Sequence, residues 1–371
     1  MTGRRSRRML VLCPFPQGVA AGQRLKYEQY FENWRSAGWD IQVSPFMDMP
    51  MWRIVYEPGH FIGKVLGVMR GHLRRVRDLF RIRRHDLVYV FMWVTPFGTT
   101  LFERLTRALA PRLIFDVEDN VILDPAAVRH EVVNPIAQWL KGPGKPLYLI
   151  RRADHVISSS PFLNDDCLAI NEKKAATYIT SSVDTERFQP ATPYSNAGKV
   201  TVGWTGTFSS KIYLDLLRPV FARLAERIDF RLLVIGNFDY ELPGIDLEVI
   251  RWTAEREVED LQRFDIGVYP LPLDDWVMGK SGLKAIQYMA FGLPTVATEV
   301  GTTPRLIRDG ENGLLVRTED EWIDALERLI RDPDLRRRLG QAARRDAEAK
   351  YSVKAVAAQY RRVLAQAMEE T

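Results

Sequence analysis

Short apolar runs alternate with amphipathic stretches along most of the chain. Candidate strands lie at 9–13, 41–44, 87–91, 113–117 and 155–158, and at 200–204, 230–235, 247–251, 266–269, 295–298 and 313–316, and most are runs rich in Val, Ile, Leu and Phe. Continuous rather than alternating apolar character is the pattern of parallel strands covered on both faces. The intervening stretches 24–37, 99–109, 212–227, 257–264, 283–290 and 319–330 place apolar residues at helical spacing. Repeated strand–helix alternation predicts α/β units joined by right-handed crossovers.

The clearest break in this series is Gln189-Pro-Ala-Thr-Pro-Tyr-Ser-Asn-Ala-Gly198, with two prolines and small polar residues. A long surface loop inside one domain fits the same residues, but one sheet would then need about a dozen strands, above the usual range. The fold read from this pattern is α/β, two Rossmann-like doubly wound domains with an interdomain cleft. The first is expected over 1–190 and the second over 191–350, and 353–368 in the remaining 351–371 reads as an alanine-rich helix with no strand after it. Ligands of doubly wound sheets bind beyond the carboxyl ends of the strands, so the residues just after each strand carry the functional information.

A length of 371 residues suits two cores. No run of about 18 uncharged apolar residues occurs, so no transmembrane helix is predicted. The apolar run after the opening arginines stops at Pro14 and Pro16, too soon for a secretory segment, and the expected location is cytoplasmic. Two cysteines, Cys13 and Cys167, and five scattered histidines predict neither a disulfide framework nor a metal site.

The net charge of +5 is unevenly distributed. Residues 61–85 hold eight Lys/Arg against Asp78 alone, a local +7 that leaves −2 for the rest. Apolar residues recur there at helical spacing. A basic amphipathic helix of this kind suits an anionic membrane surface, with about 1 kcal/mol gained per Lys/Arg near the lipid. A helix with one face in the core and one in water fits the pattern equally. Nucleic acid is not an expected partner, because no recognised module or stacking aromatic series accompanies the charge.

Three post-strand segments are placed to do chemistry. Pro16-Gln-Gly-Val-Ala-Ala-Gly22-Gln-Arg24 follows the first strand; its small residues admit a ligand to the backbone and Arg24 offers a fork of donors for phosphate. It serves as well as a plain β–α loop, and without Gly-x-Gly-x-x-Gly it supports no dinucleotide cofactor. Thr205-Gly206-Thr-Phe-Ser-Ser-Lys211 suits an anion at a helix start, with a lysine beside it. The densest segment runs from Asp274 to Pro294, where Lys280, Ser281 and Gly282 open a helix that places Lys284 and Gln287 on one face. Free N–H groups at a helix start cradle a diphosphate, and two lysines beside them stabilise it as it leaves. A solvated amphipathic helix is the plain alternative, although lysines usually avoid the positive end of a helix.

Lys280-x3-Lys284-x2-Gln287-Tyr-Met-Ala-Phe-Gly-Leu-Pro294, with Gly301 and Asp309-Gly-Glu-Asn-Gly-Leu-Leu-Val316, resembles the family 4 retaining glycosyltransferases. The resemblance extends through Thr201-Val-Gly-Trp-Thr-Gly206, Ser182-Val-Asp-Thr-Glu-Arg-Phe188, Ala153-Asp-His-Val-Ile157 and Phe115-Asp-Val-Glu-Asp119, and so covers most of the chain. It implies GT-B architecture, metal-independent transfer with retention, a nucleotide-sugar donor as substrate rather than cofactor, and a terminal helix crossing back to the first domain. Lys211, Lys280 and Lys284 would neutralise the diphosphate. Gly206, Ser281, Gly282, Gln287 and Trp252 would hold the donor, Gln287 at the ribose and Trp252 at the base. Gly22, Arg24, Asp116 and Asp119 would lie on the acceptor side, facing a glycan or lipid-linked acceptor in cell-surface polysaccharide or glycolipid synthesis. The basic helix over 61–85, separately, would make a cytoplasmic protein peripheral at the inner face of the plasma membrane. The chain departs from the family's Glu-x7-Glu, which falls at Gly279 and Gln287, from an arginine that is Thr207 here, and from an acceptor-side histidine. A related branch carries Lys-x3-Lys-x2-Gln. The alternatives to an enzyme are a non-catalytic sugar-nucleotide or glycan-binding relative and a membrane adaptor using 61–85.

Overall fold

A computed structural model describes residues 6–118, 120, 122, 144–191 and 198–369. Asp119 lies outside them. The chain forms two compact units, Met1–Thr180 together with Ala357–Thr371, and Ser181–Val356.

The first unit is a parallel sheet of β1 (Arg7–Cys13), β2 (Trp39–Pro45), β3 (Leu87–Phe91), β4 (Leu113–Val117), β5 (His155–Ser158) and β6 (Ala176–Tyr178). Its order is β2-β1-β3-β4-β5-β6, so the winding reverses between β1 and β3. Val88, Val90, Leu113, Phe115 and Val156 are fully buried, as two-sided cover requires. The stretch expected as one helix over 24–37 is broken into α1 (Ala21–Lys26), a 3-10 turn Glu28–Tyr30 and a helix Phe31–Ser36. Tyr27 leaves helical geometry at φ −124° because its ring is packed against Phe31, Tyr89 and Phe91.

The basic segment forms α2 (Phe61–Ile82), beside which packs α3 (Leu101–Leu109). The inward face of α2 is Gly67, Gly71, Arg75, Asp78 and Ile82. A Cβ on Gly67 would stand 2.7 Å from Met51, and one on Gly71 2.5 Å from the Phe46 ring. The glycines therefore bring this backbone down onto Phe46 and Met51, and most of the large apolar side chains of α2 point to solvent. Of the two readings of 61–85, the one with the apolar face in the core is not the arrangement formed.

The second unit is a parallel sheet of β7 (Thr201–Gly206), β8 (Arg231–Gly236), β9 (Asp246–Arg251), β10 (Ile266–Tyr269), β11 (Thr295–Thr298) and β12 (Leu314–Val316). Its order, β12-β11-β10-β7-β8-β9, reverses between β7 and β10. Pro219 splits the helix expected over 212–227 into Lys211–Asp215 and Arg218–Ala225. Glycines at the strands admit bulky rings, with Phe264 over Gly203 and Tyr288 over Gly267. After β10 comes α4 (Leu283–Ala290), and the chain closes with α5 (Pro333–Lys350) and α6 (Val353–Met368).

Residues 181–190 belong with this unit. Val183 bridges to Ser352, and Arg344 of α5 donates to the carbonyls of Thr185 and Phe188 at 2.8 and 2.6 Å. Beyond Ala357, α6 returns to the first unit, where Tyr360 donates to the Lys26 carbonyl at 3.1 Å and packs on Tyr30 and Trp34.

Candidate functional site

The β7/β10 reversal in the second sheet is the natural ligand crevice of a doubly wound sheet, because the helices that follow these strands diverge there. Lys284, in the first turn of α4, spans it. Its Nζ lies 5.6 Å from the Trp204 ring of β7 and 5.9 Å from the Tyr269 ring of β10. Two aromatic faces hold the ammonium over the carboxyl ends of both strands.

The start of α4 has no side-chain cap; its N-cap is Gly282, in the left-handed region at φ +75°. The dihedral calls for glycine, and a Cβ there would sit 2.2 Å from Leu306 Cδ1 and have to push that methyl aside. Lys280 precedes it in extended geometry, and its carbonyl accepts from Thr302 Oγ1 at 2.7 Å. Gly301, at φ +58°, lets that loop close on Val277. Ser281 is half-buried between them and Gln287 is buried one turn beyond. The structure thus gathers Lys280, Ser281, Gly282 and Lys284 around one helix N-terminus, where N–H groups and the helix dipole favour an anion. Thr302, whose hydroxyl fixes Lys280, is a supporting residue that sequence reading misses; only the Gly301-Thr-Thr cluster after β11 hints at it.

Along the same edge, a Cβ on Gly236 would stand 2.9 Å from the Gly206 carbonyl, and the Trp252 N–H bonds the Gly236 carbonyl at 2.9 Å. Gly206, at the end of β7, and Trp252, just beyond β9, therefore share the carboxyl edge with the lysines. Lys211 is different. Its ammonium is bound to Asp215 at 2.9 Å and lies 5.3 Å from the Tyr240 ring centroid. Burial raises the Asp215 carboxyl, but hydrogen bonds from Lys211 and Arg218 outweigh it and hold the group below the usual carboxylate range. Lys211 is thus ion-paired within its own helix, in a half-exposed pair with which a phosphate would compete.

In the first unit the loop after β1 is already filled by its own carboxylate. The Gly18 N–H donates to Glu28 Oε2 at 2.8 Å, and Gln23 Nε2 donates to Glu28 Oε1 at 2.6 Å. Burial raises the Glu28 carboxyl, opposed by Gln23, Gly18 and Arg24. The Gly18 N–H and the Gln23 amide are thus already used by Glu28, and an anion at this loop would have to compete with that carboxylate. Gly22 lies beside the Glu118 carboxylate: a Cβ there would stand 3.1 Å from Glu118 Oε2. Arg24 is half-buried beside Glu28. Asp116 is fully buried, ion-paired to Lys26 at 2.8 Å and accepting from Tyr89. It is a packing anchor rather than an acceptor contact. Met92, directly after β3, holds φ +61°, a strained geometry at the β1/β3 reversal that the sequence does not announce.

The comparisons with known proteins bear on the second unit first. Residues 199–332 match the profile of the family described as glycosyl transferases group 1. That span runs from β7 past β12 and includes Gly206, Lys211, Trp252, Lys280, Lys284 and Gln287. D-inositol 3-phosphate glycosyltransferase of Corynebacterium aurimucosum is 35% identical over 126 residues, 32% of this chain and 28% of that protein. The chain thus spans less than a third of the length of that relative.

Among solved structures, sucrose-phosphate synthase from Thermosynechococcus elongatus superposes with a TM-score of 0.71 at 17% identity, covering 97% of this chain and 99% of that one. HepE of Anabaena in complex with UDP-glucose gives 0.66 at 15% identity, covering 96% and 99%. Likeness at this identity establishes the fold, two Rossmann-like domains of the GT-B glycosyltransferase type.

Proposed function

We propose that the protein is a glycosyltransferase that moves a sugar from a nucleoside-diphosphate donor to an acceptor hydroxyl. The observation that carries this reading is the uncapped start of α4 with Lys284 held over Trp204 and Tyr269 at the β7/β10 reversal, inside the segment matching the group 1 family. The HepE structure with UDP-glucose supports the donor class.

On this reading the diphosphate lies against the N–H groups of α4, with Lys280 and Lys284 neutralising charge as the sugar–phosphate bond breaks. Gln287 orients the ribose in place of a carboxylate, bonding as donor and acceptor without charge assistance. Trp252 flanks the base. The acceptor hydroxyl attacks on the face the nucleotide leaves, its proton passes to the departing phosphate, and the configuration is retained. No metal is required, because lysines and helix N–H groups supply the positive field. The acceptor is a glycan or lipid-linked hydroxyl of a cell-surface polysaccharide or glycolipid.

One observation favours a second reading, a non-catalytic sugar-nucleotide-binding protein: Gly279 and Gln287 stand where the resembling family has carboxylates, and Lys211 is taken by Asp215. Transfer of labelled sugar from a panel of nucleotide sugars to a membrane lipid extract, with chelator present, separates the two. Transfer that drops at least a hundredfold in Lys280→Ala and Lys284→Ala is expected. Donor binding without transfer from any donor in the panel would favour the binding protein, and undiminished transfer in both variants would remove the lysines from the chemistry.

A further inference from the structure

The outward face of α2 is unusual for a surface helix. Ile62, Leu66, Met69, Leu73, Val76 and Phe80 fall within an arc of about 100° and are all exposed, Ile62, Leu73 and Phe80 by 74%, 67% and 79%. Phe61 adds to it at the start, 77% exposed. On the neighbouring α3, Leu101 and Leu105 are exposed too, and the two helices meet through His72 and Phe102 at 5.8 Å.

The charge that α2 itself turns outward has one sign. Asp78, the only acid in α2, is turned inward and bound to Arg75 at 3.0 Å and to Ser44 at 2.6 Å. Arg70 and Arg77 flank the apolar arc, and Arg83 and Arg84 follow it, all exposed. Arg70 approaches Asp48 at 3.5 Å, whereas Arg77, Arg83 and Arg84 have no ion pair among the described residues.

The spacing of the six residues, alternately four and three, also suits a helix–helix seam. A second copy of this helix fits poorly, however. The positions flanking the seam are Arg70 and Arg77 on one side and Val65, His72 and Leu79 on the other, so a paired copy offers no acid to either arginine. With Phe61 and Val65 included, the apolar arc is also broader than a two-helix seam buries. A broad apolar face bordered by Arg77, Arg83 and Arg84, which have no ion pair among the described residues, matches a surface that is apolar below and anionic at its rim.

We infer that α2 lies in the plane of an anionic phospholipid bilayer, its apolar arc among the acyl chains and Arg77, Arg83 and Arg84 at lipid phosphates. The inference stands apart from the transferase reading. Its geometric consequence follows from Arg75, which donates to the carbonyls of Cys13, Ser44 and Val94 at 3.0, 3.0 and 2.7 Å. These groups lie at or just beyond the carboxyl ends of β1, β2 and β3, so a docked α2 holds that edge of the first sheet close to lipid.

The test is co-sedimentation of the full chain with phosphatidylcholine vesicles and with vesicles containing phosphatidylglycerol. Pelleting with the anionic vesicles that weakens as salt rises is expected, with little on phosphatidylcholine alone. Leu73→Ser with Phe80→Ser should abolish it while leaving the thermal transition and any nucleotide-induced shift intact, since both side chains are exposed. Replacing Arg77, Arg83 and Arg84 with Gln should lower affinity roughly a hundredfold, at about fivefold per arginine. The inference is overturned by no pelleting with either vesicle, by equal and salt-insensitive pelleting with both, or by a lipid-free dimer in sedimentation velocity that Leu73→Ser with Phe80→Ser dissociates.

Discussion

Lys26 and Asp116 form an ion pair at 2.8 Å in the interior of the first unit, their side chains 3% and 0% exposed. Lys26 also donates to the Val117 carbonyl, and Tyr89 donates to Asp116, so the pair ties the 21–26 helix to β3 and β4. Breaking it from one side strands a buried charge. Asp116→Leu should cost about 3–5 kcal/mol, and adding Lys26→Met should recover most of that. Urea denaturation checks both. If Asp116→Leu left stability unchanged and reduced acceptor use alone, the residue would be a substrate contact after all.

The reversed orientation of α2 gives two opposite expectations on one helix. Gly71→Val drives a side chain into Phe46 and should destabilise by about 1–3 kcal/mol. Leu73→Ser, two residues on, should change stability by less than about 0.5 kcal/mol. A conventional amphipathic helix would give the reverse ranking in denaturant melts.

This helix also marks the limit of what the sequence discloses. The sheets were legible because most of their strands are short, largely apolar segments set between helical stretches, and those at 87–91, 113–117, 155–158, 266–269 and 295–298 have the ends the pattern predicts. β6, three half-buried residues at the sheet edge, carries no such signal. Hydrophobic periodicity gives α2 its length but not its orientation; the clue was the stripe Gly63, Gly67, Gly71, since small residues let a backbone approach where large ones cannot. At the candidate site, Lys280, Gly282 and Lys284 were readable because they follow a strand and open a helix. The partners that occupy Lys211, Asp116 and the Gly18 N–H come from side chains whose direction one sequence does not reveal.

Acid should loosen the first unit through His155. Burial lowers its imidazole to about 4 from an ordinary 6.5, so the folded state resists a proton that the unfolded chain accepts. The contribution is present above about pH 6.5 and is lost as pH falls toward 4, by roughly 3 kcal/mol at most. Stability measured across that window should fall less steeply in His155→Gln. Identical slopes would assign the loss to other groups.

Gly282 links backbone geometry to ligand binding. Gly282→Ala forces an L side chain into φ +75° and against Leu306, at a cost of about 1–3 kcal/mol. It should also weaken nucleotide binding by displacing the start of α4. Calorimetry on the folded variant checks this, and wild-type affinity would mean that the helix start is not the phosphate seat.

The central claim is an anion seat for a nucleoside diphosphate at the start of α4, and a thermal-shift panel of UDP, GDP, ADP, CMP and dTDP without added metal tests it most directly. A ligand bound only by the folded state adds about 2.7 kcal/mol at a hundredfold excess over Kd. The account predicts a selective rise with one nucleotide that disappears in Lys280→Ala and Lys284→Ala. No rise with any of them, confirmed by calorimetry, or a rise unchanged in both variants, would contradict it.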